Sequence, residues 1–262
     1  MHSIAASALT KRYGDTVAVD SLDLAVPEGV VYGFLGPNGA GKTTTMRLLT
    51  SLTRPTSGTA SVAGVPVTDR AALIDHIGYL PEEPPLYDEL TGREQLTYAA
   101  GLRDLPDESA SERIATFLDR LDLADDADTR IDAYSKGMRQ KTAFVQALLH
   151  DPDVLFLDEP TSGLDPRAAR TIRDVIDELA DGGTTVFLST HILPVVDEHA
   201  DTVGVLSDGE LVAEGSPAEL KRRADDADAS DRSLEDVFLA VTSEDPARTG
   251  EAAAVADGAD VE

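Results

Sequence analysis

The sequence predicts an α/β protein with a mostly parallel sheet, an antiparallel β subdomain at its N-terminal side and a helical subdomain inserted into the core. Three observations lead there. The apolar run Val30 to Leu35 ends in a glycine-rich loop and passes straight into helical periodicity from Lys42. Val154 to Leu157, Arg167 to Ala180 and Thr185 to Ser189 read as strand, helix, strand with short loops, a unit whose two strands lie parallel. Between Thr91 and Leu149 the apolar spacing changes to three and four residues, the helical period.

The elements follow in order. Ile4 to Leu9 and Val17 to Val26 are short apolar or alternating runs separated by Gly, Asp and Pro, which makes them strands. Lys42 to Leu52 reads as a helix, and Thr59 to Val62 and His76 to Leu80 as further strands. Thr91 to Leu102, Ser109 to Leu121 and Ser135 to Leu149 form the helical block. After the strand–helix–strand unit comes a hairpin, Thr202 to Leu206 and Glu210 to Ala213, turned through Ser207, Asp208 and Gly209. Pro217 to Arg223 and Leu234 to Val241 read as two short helices. Past Ser243 the chain is rich in Ala, Asp and Glu and poor in large apolar residues, the composition of a disordered tail. The expected organisation is one domain over 2–240, with its helical subdomain at about 86–150, and a tail over 243–262.

Composition narrows the function. Of 262 residues, 42% are hydrophobic, a normal share for a globular chain. No run approaches eighteen apolar residues, so no membrane span is expected. The start, MHSIAASALTKRY, lacks a basic region followed by an apolar run, which predicts a cytoplasmic protein. Without cysteine there are no disulfides or thiolate metal sites. Acidic residues number 49 against 22 basic ones, a net charge of -27. Such a surface repels nucleic acid and anionic lipid, and no nucleic-acid partner is expected. Self-repulsion of this size favours a halophilic source with molar cytoplasmic salt; the alternative is an acidic protein from a mesophile.

Gly36-Pro37-Asn38-Gly39-Ala40-Gly41-Lys42-Thr43-Thr44 fits G-x-x-x-x-G-K-[ST] at the strand-to-helix junction where that pattern binds phosphate. Glycines let backbone N–H groups converge on one anion, and the following helix adds its positive end. Lys42 is placed to neutralise the β- and γ-phosphates, and the Thr43 hydroxyl to ligate Mg²⁺. Guanine readers usually carry an Asn-Lys-x-Asp element, but the sole Asn in the chain is Asn38, which favours ATP over GTP. Val154-Leu155-Phe156-Leu157-Asp158-Glu159-Pro160 is an apolar strand delivering two carboxylates to the edge where open α/β sheets bind ligands. Asp158 suits Mg²⁺, and Glu159 suits a general base toward the attacking water.

With these two motifs in this order, the sequence resembles the ATP-binding cassette family, the motor subunits of ABC transporters, over about residues 2 to 240. The resemblance implies further site residues. Tyr13, in Lys11-Arg12-Tyr13-Gly14, falls where the family stacks an aromatic ring on adenine. Tyr134-Ser135-Lys136-Gly137-Met138-Arg139-Gln140-Lys141 falls at the family signature, with Ser135 and Gly137 retained and Lys136 adding charge near a partner's γ-phosphate. Ser162-Gly163-Leu164-Asp165 matches the D-loop, with Asp165 expected at a dimer interface, and His191 in Ser189-Thr190-His191 matches the switch histidine. Gly78-Tyr79-Leu80-Pro81-Glu82-Glu83 aligns with the Q-loop, but Glu82 stands where the family has Gln. A carboxylate can face a metal-bound water but cannot donate as an amide does.

The family acts as a head-to-tail dimer in which each ATP lies between the phosphate loop of one subunit and the signature of the other. The resemblance therefore implies a second ATP-binding subunit, most simply in a homodimer. It also implies a separate integral membrane permease, with this chain peripheral on the inner face of the membrane. Pro84 to Thr97 is the expected dock for the permease. The Pro-Glu-Glu Q-loop, Tyr-Ser-Lys-Gly-Met, and Ser233-Leu234-Glu235-Asp236-Val237-Phe238 resemble the branch that exports drugs, antibiotics, ions or polysaccharides. Import stays open, as does a soluble cassette ATPase of DNA repair or translation. That last class generally has a long coiled-coil insertion or two cassettes, and neither is present here. A non-catalytic cassette would be expected to lose Lys42, Asp158 or Glu159, all of which are retained.

Overall fold

The computed structural model describes residues 2–223 and 233–242; the expected tail over 243–262 lies outside the described residues. Two long strands, β1 (His2–Tyr13) and β2 (Thr16–Pro27), precede β3 (Val31–Leu35) and helix α1 (Lys42–Leu49). Then come β4 (Ser57–Val62), β5 (Val65–Pro66), the single turn α2 (Arg70–Leu73) and β6 (Ile77–Leu80). Helices α3 (Gly92–Gly101), α4 (Asp107–Arg120) and α5 (Lys136–Leu148) form the helical block. The chain returns through β7 (Val154–Asp158), α6 (Pro166–Asp181), β8 (Thr185–Ser189), α7 (Leu193–His199), β9 (Thr202–Ser207), β10 (Glu210–Gly215), α8 (Pro217–Arg223) and α9 (Leu234–Thr242).

The strands make two sheets. One is antiparallel, in the order β2-β1-β4-β5; the other runs β10-β9-β3-β8-β7-β6. In the second sheet every pairing is parallel except the edge hairpin of β9 with β10. Strands β3, β7 and β8 are buried at every position, which is why their sequences are apolar runs without alternation. Phe187 in β8 joins them on one face. Its ring stacks on Tyr32 at 5.3 Å and tilts against Phe34 at 5.0 Å and Phe156 at 5.6 Å. That face packs with Met46, Leu48 and Leu49 of α1 and with the antiparallel sheet. Leu155, Leu157, Val186 and Leu188 point to the other face and pack with α5 and α6. The expected α/β architecture, with its antiparallel β subdomain and inserted helices, is the one observed.

Boundaries differ where local conformation outruns periodicity. Helix α1 stops at Leu49 rather than Leu52, because Ser51 turns into the left-handed region at φ 58 and Leu52 is left half-exposed. Helix α7 has only two buried residues, Val195 and Val196, too few to produce a readable helical period. Among the described residues no helix is long and apolar enough to cross a membrane.

Candidate functional site

Strands β3, β8 and β7 are neighbours, so their C-terminal ends lie side by side and bring three separate loops together. The loop after β3 is Gly36 to Gly41; β7 ends at Asp158 and is followed by Glu159; β8 is followed by Thr190 and His191. They surround a cavity of about 620 Å³ lined by Gly36, Pro37, Asn38, Gly39, Gly41, Lys42, Thr43, Thr44, Glu82, Asp158, Glu159 and His191. Ala18 and Phe238 also line it. Ala40 does not; it is buried in the core beneath the loop.

The loop is fitted to an anion by its backbone. Gly41 has φ 105, and a side chain there would run into the Ala18 carbonyl, so only glycine closes this turn. No side chain caps α1 and no acidic residue sits in its first turn, which leaves its N–H groups and positive end facing the cavity. Lys42 Nζ donates to the carbonyls of Gly36 at 2.7 Å and Pro37 at 3.1 Å. Burial lowers the pKa of this ammonium, while the carboxylates Glu159, Asp158 and Glu82 work in the opposite direction.

Thr43 Oγ1 donates to Asp158 Oδ2 at 3.1 Å. Asp158 is 3% exposed, and burial raises its carboxyl above the ordinary range, with the Thr43 hydrogen bond opposing. Glu82 faces the same space, close enough to add to that upward shift. A hydroxyl and carboxylates without nitrogen or sulfur ligands are the donor set of a hard cation such as Mg²⁺. Among the described residues no group of three or more His, Cys, Asp or Glu could hold a metal by itself. Mg²⁺ in phosphoryl-transfer sites is held by one or two carboxylates plus the substrate phosphates, and Asp158 with Thr43 fits that pattern.

Glu159 is 8% exposed and its carboxylate is held at both oxygens. Oε2 accepts from Thr190 Oγ1 at 3.0 Å; Oε1 accepts from the His191 N–H at 2.9 Å and from His191 Nδ1 at 2.7 Å. The His191 ring is otherwise exposed, so it joins the carboxylate to the open cavity. A carboxylate, an imidazole and an ammonium on one cavity can orient water, shift a proton and balance negative charge.

The remaining residues lie elsewhere. Tyr13 ends β1 half-exposed, with Lys11 Nζ 4.9 Å from its ring centre, and it is not among the residues lining the cavity. Ser135 caps α5 by accepting from the Met138 N–H at 3.2 Å. Lys136 Nζ donates to Ser162 Oγ at 3.2 Å, and its stem covers Gly163. A Cβ on Gly137 would meet Leu164 Cδ2 at 3.3 Å and the Gly163 carbonyl at 3.4 Å, so glycine lets α5 approach this loop. Asp165 caps α6, accepting from the N–H groups of Arg167 and Ala168. Ser135, Lys136 and Gly137 thus cluster with residues 162–165, and none of them lines the 620 Å³ cavity.

Four contributors carry no site signal in the sequence: Ala18, Thr190, Gln140 and Phe238. Thr190 and Gln140 stand inside motif segments, but only the fold shows that both bond to Glu159. Phe238 carries the helical spacing of a core residue, and the same spacing gives no sign that it reaches the cavity.

Known proteins resemble this chain in sequence and in fold. Residues 19–162 match the family described as ABC transporter. The daunorubicin/doxorubicin resistance ATP-binding protein DrrA of Streptomyces peucetius is 43% identical over 220 residues, 84% of this chain and 67% of that protein. The bacitracin transport ATP-binding protein BcrA of Enterococcus faecalis is 39% identical over 217 residues, 82% of this chain and 70% of that protein. A solved structure of the ATP binding subunit of an ABC transporter superposes with a TM-score of 0.84 at 29% identity, covering 91% of this chain and 98% of that one. By fold and sequence, the chain belongs to the ATP-binding proteins of the ABC transporter family.

Proposed function

We propose that this chain hydrolyses ATP as one half of a head-to-tail dimer and thereby drives a separate membrane permease, in the export of drugs or other small molecules. One observation carries the reading. The phosphate-facing residues and the cluster at Ser135, Lys136 and Gly137 lie apart in one chain, so a site using both needs two chains. The backbone of Gly36 to Gly41 and the end of α1 would cradle the phosphates, with Lys42 balancing their charge. Thr43 and Asp158, with Glu82 facing them, would hold Mg²⁺, which neutralises charge on the β- and γ-phosphates when bound. Glu159 orients the attacking water and takes its proton, and His191 holds the Glu159 carboxylate in place. Tyr13 and Asp165 retain their proposed roles at adenine and at the dimer interface.

For the permease, Tyr87 and Tyr98 present two exposed rings in edge contact at 5.6 Å, with the exposed Leu102 on the same helical block. Exposed aromatic pairs are the kind of anchor that partner surfaces bury. Export is favoured by the drug-resistance and antibiotic-transport names of the relatives. The chain then works at the cytoplasmic face of the membrane.

Two crippled variants test the shared site. Lys42→Ala removes the phosphate cation, and Ser135→Arg blocks the signature; each alone should lose ATP-dependent association and turnover. Mixed together they rebuild one intact composite site, and both properties should return. A mixture as inactive as its components would contradict the shared site.

A further inference from the structure

We propose that Gln140 is a positioning residue for Glu159, through which the signature helix sets the catalytic carboxylate of its own chain. Gln140 lies on α5 about one turn beyond Gly137 and is 1% exposed. Its Nε2 donates to the Glu159 carbonyl at 3.2 Å. The same carbonyl accepts from the Ser162 N–H at 3.0 Å, and the Glu159 N–H donates to the Ser189 carbonyl at 2.9 Å. These bonds hold a residue that needs holding. Glu159 has φ 51, a left-handed conformation disfavoured for any side chain with a Cβ. Released from them, the backbone would relax and swing the carboxylate away from Thr190 and His191.

A methionine-sized apolar side chain would fill the same buried space, so what the amide adds is its donor. The Lys136–Ser162 bond ties the start of α5 to the same loop, giving the helix two attachments around Glu159. A contact made by Ser135 or Gly137 with a neighbour's nucleotide would therefore reach Glu159 in the same chain through rigid helix. This inference rests on the proposed role of Glu159 as base.

The test is a double-mutant cycle on ATP hydrolysis. Gln140→Met keeps the volume and removes the donor; kcat should fall about tenfold while KM for ATP stays within about twofold. In the Glu159→Gln background, the same substitution should lower the residual kcat no further, because the group it positions no longer acts. Unchanged kcat in Gln140→Met, or an equal fall in both backgrounds, would overturn the proposal. If Gln140→Met fails to fold, Gln140→Asn, which keeps the amide but withdraws it by one methylene, is read in the same cycle. Near-normal hydrolysis by Glu159→Gln alone would instead refute the base assignment, an outcome separate from either result for Gln140.

Discussion

His150, just past the end of α5, shows how finely single residues respond to their surroundings. Its Nε2 bonds the Ile77 carbonyl at 2.9 Å, which requires the proton on that nitrogen, and its Nδ1 is buried with no partner among the described residues. Burial, followed by the charges of Arg103 and Arg113, pulls its pKa down to about 4, with the Ile77 bond and Asp75 opposing. In the folded chain the ring stays neutral, whereas unfolded histidine takes up a proton near its ordinary value of about 6.5. The unfolded state therefore binds the extra proton, and stability is lost as pH falls through the window from about 6.5 to about 4. His150→Gln keeps a donor for Ile77 and removes the titration. The unfolding free energy lost between the two ends of that window, measured by chemical denaturation, should be larger in the parent than in the variant by on the order of 1 kcal/mol after allowance for partial exposure. Equal losses would show that His150 does not titrate as described. At this scale the sequence was legible wherever a motif binds chemistry to spacing, as at Lys42, Thr43, Asp158 and Glu159. It was opaque at Gln140 and Thr190, whose roles depend on which loop a strand or helix happens to face.

Among the elements, the fully buried strands were the easiest to read and the short helices the hardest. Short apolar runs such as Val154 to Leu157 suit the middle of a sheet covered on both faces, and the strand–helix–strand order gives their parallel pairing. Helix α7 and the turn α2 bury only one or two side chains each, and nothing periodic announces them. In strand β8, Phe187 touches rings from both neighbouring strands. Phe187→Ala should cost about 3–5 kcal/mol, because the surrounding rings can collapse only partly into the void. Chemical denaturation measures this directly, and a loss under about 1 kcal/mol would mean that the cluster does not hold the three strands. The same substitution would loosen the strand ends that carry the cavity and so weaken ATP binding.

At the scale of the whole molecule, the charge of -27 and the division of the functional residues into two clusters matter most. Charges of one sign repel over about 10 Å at 0.1 M salt but over only about 3 Å at 1 M, so screening should stabilise this fold strongly. We expect the unfolding midpoint to rise steeply between dilute and molar KCl; equal stability at both would remove the case for a halophilic source. Ser135 and Gly137 lie outside the phosphate-facing cavity, and under the proposed function a site using both draws on a second chain. The need for that chain is tested most directly by the sedimentation of Glu159→Gln with and without Mg²⁺-ATP. This variant keeps Lys42, Thr43 and Asp158 but removes the proposed base, so it should bind ATP, lose nearly all turnover and shift from monomer to a stable dimer only when ATP is present. A variant that stays monomeric at saturating ATP, or one that hydrolyses it at close to the parent rate, would contradict the shared-site account.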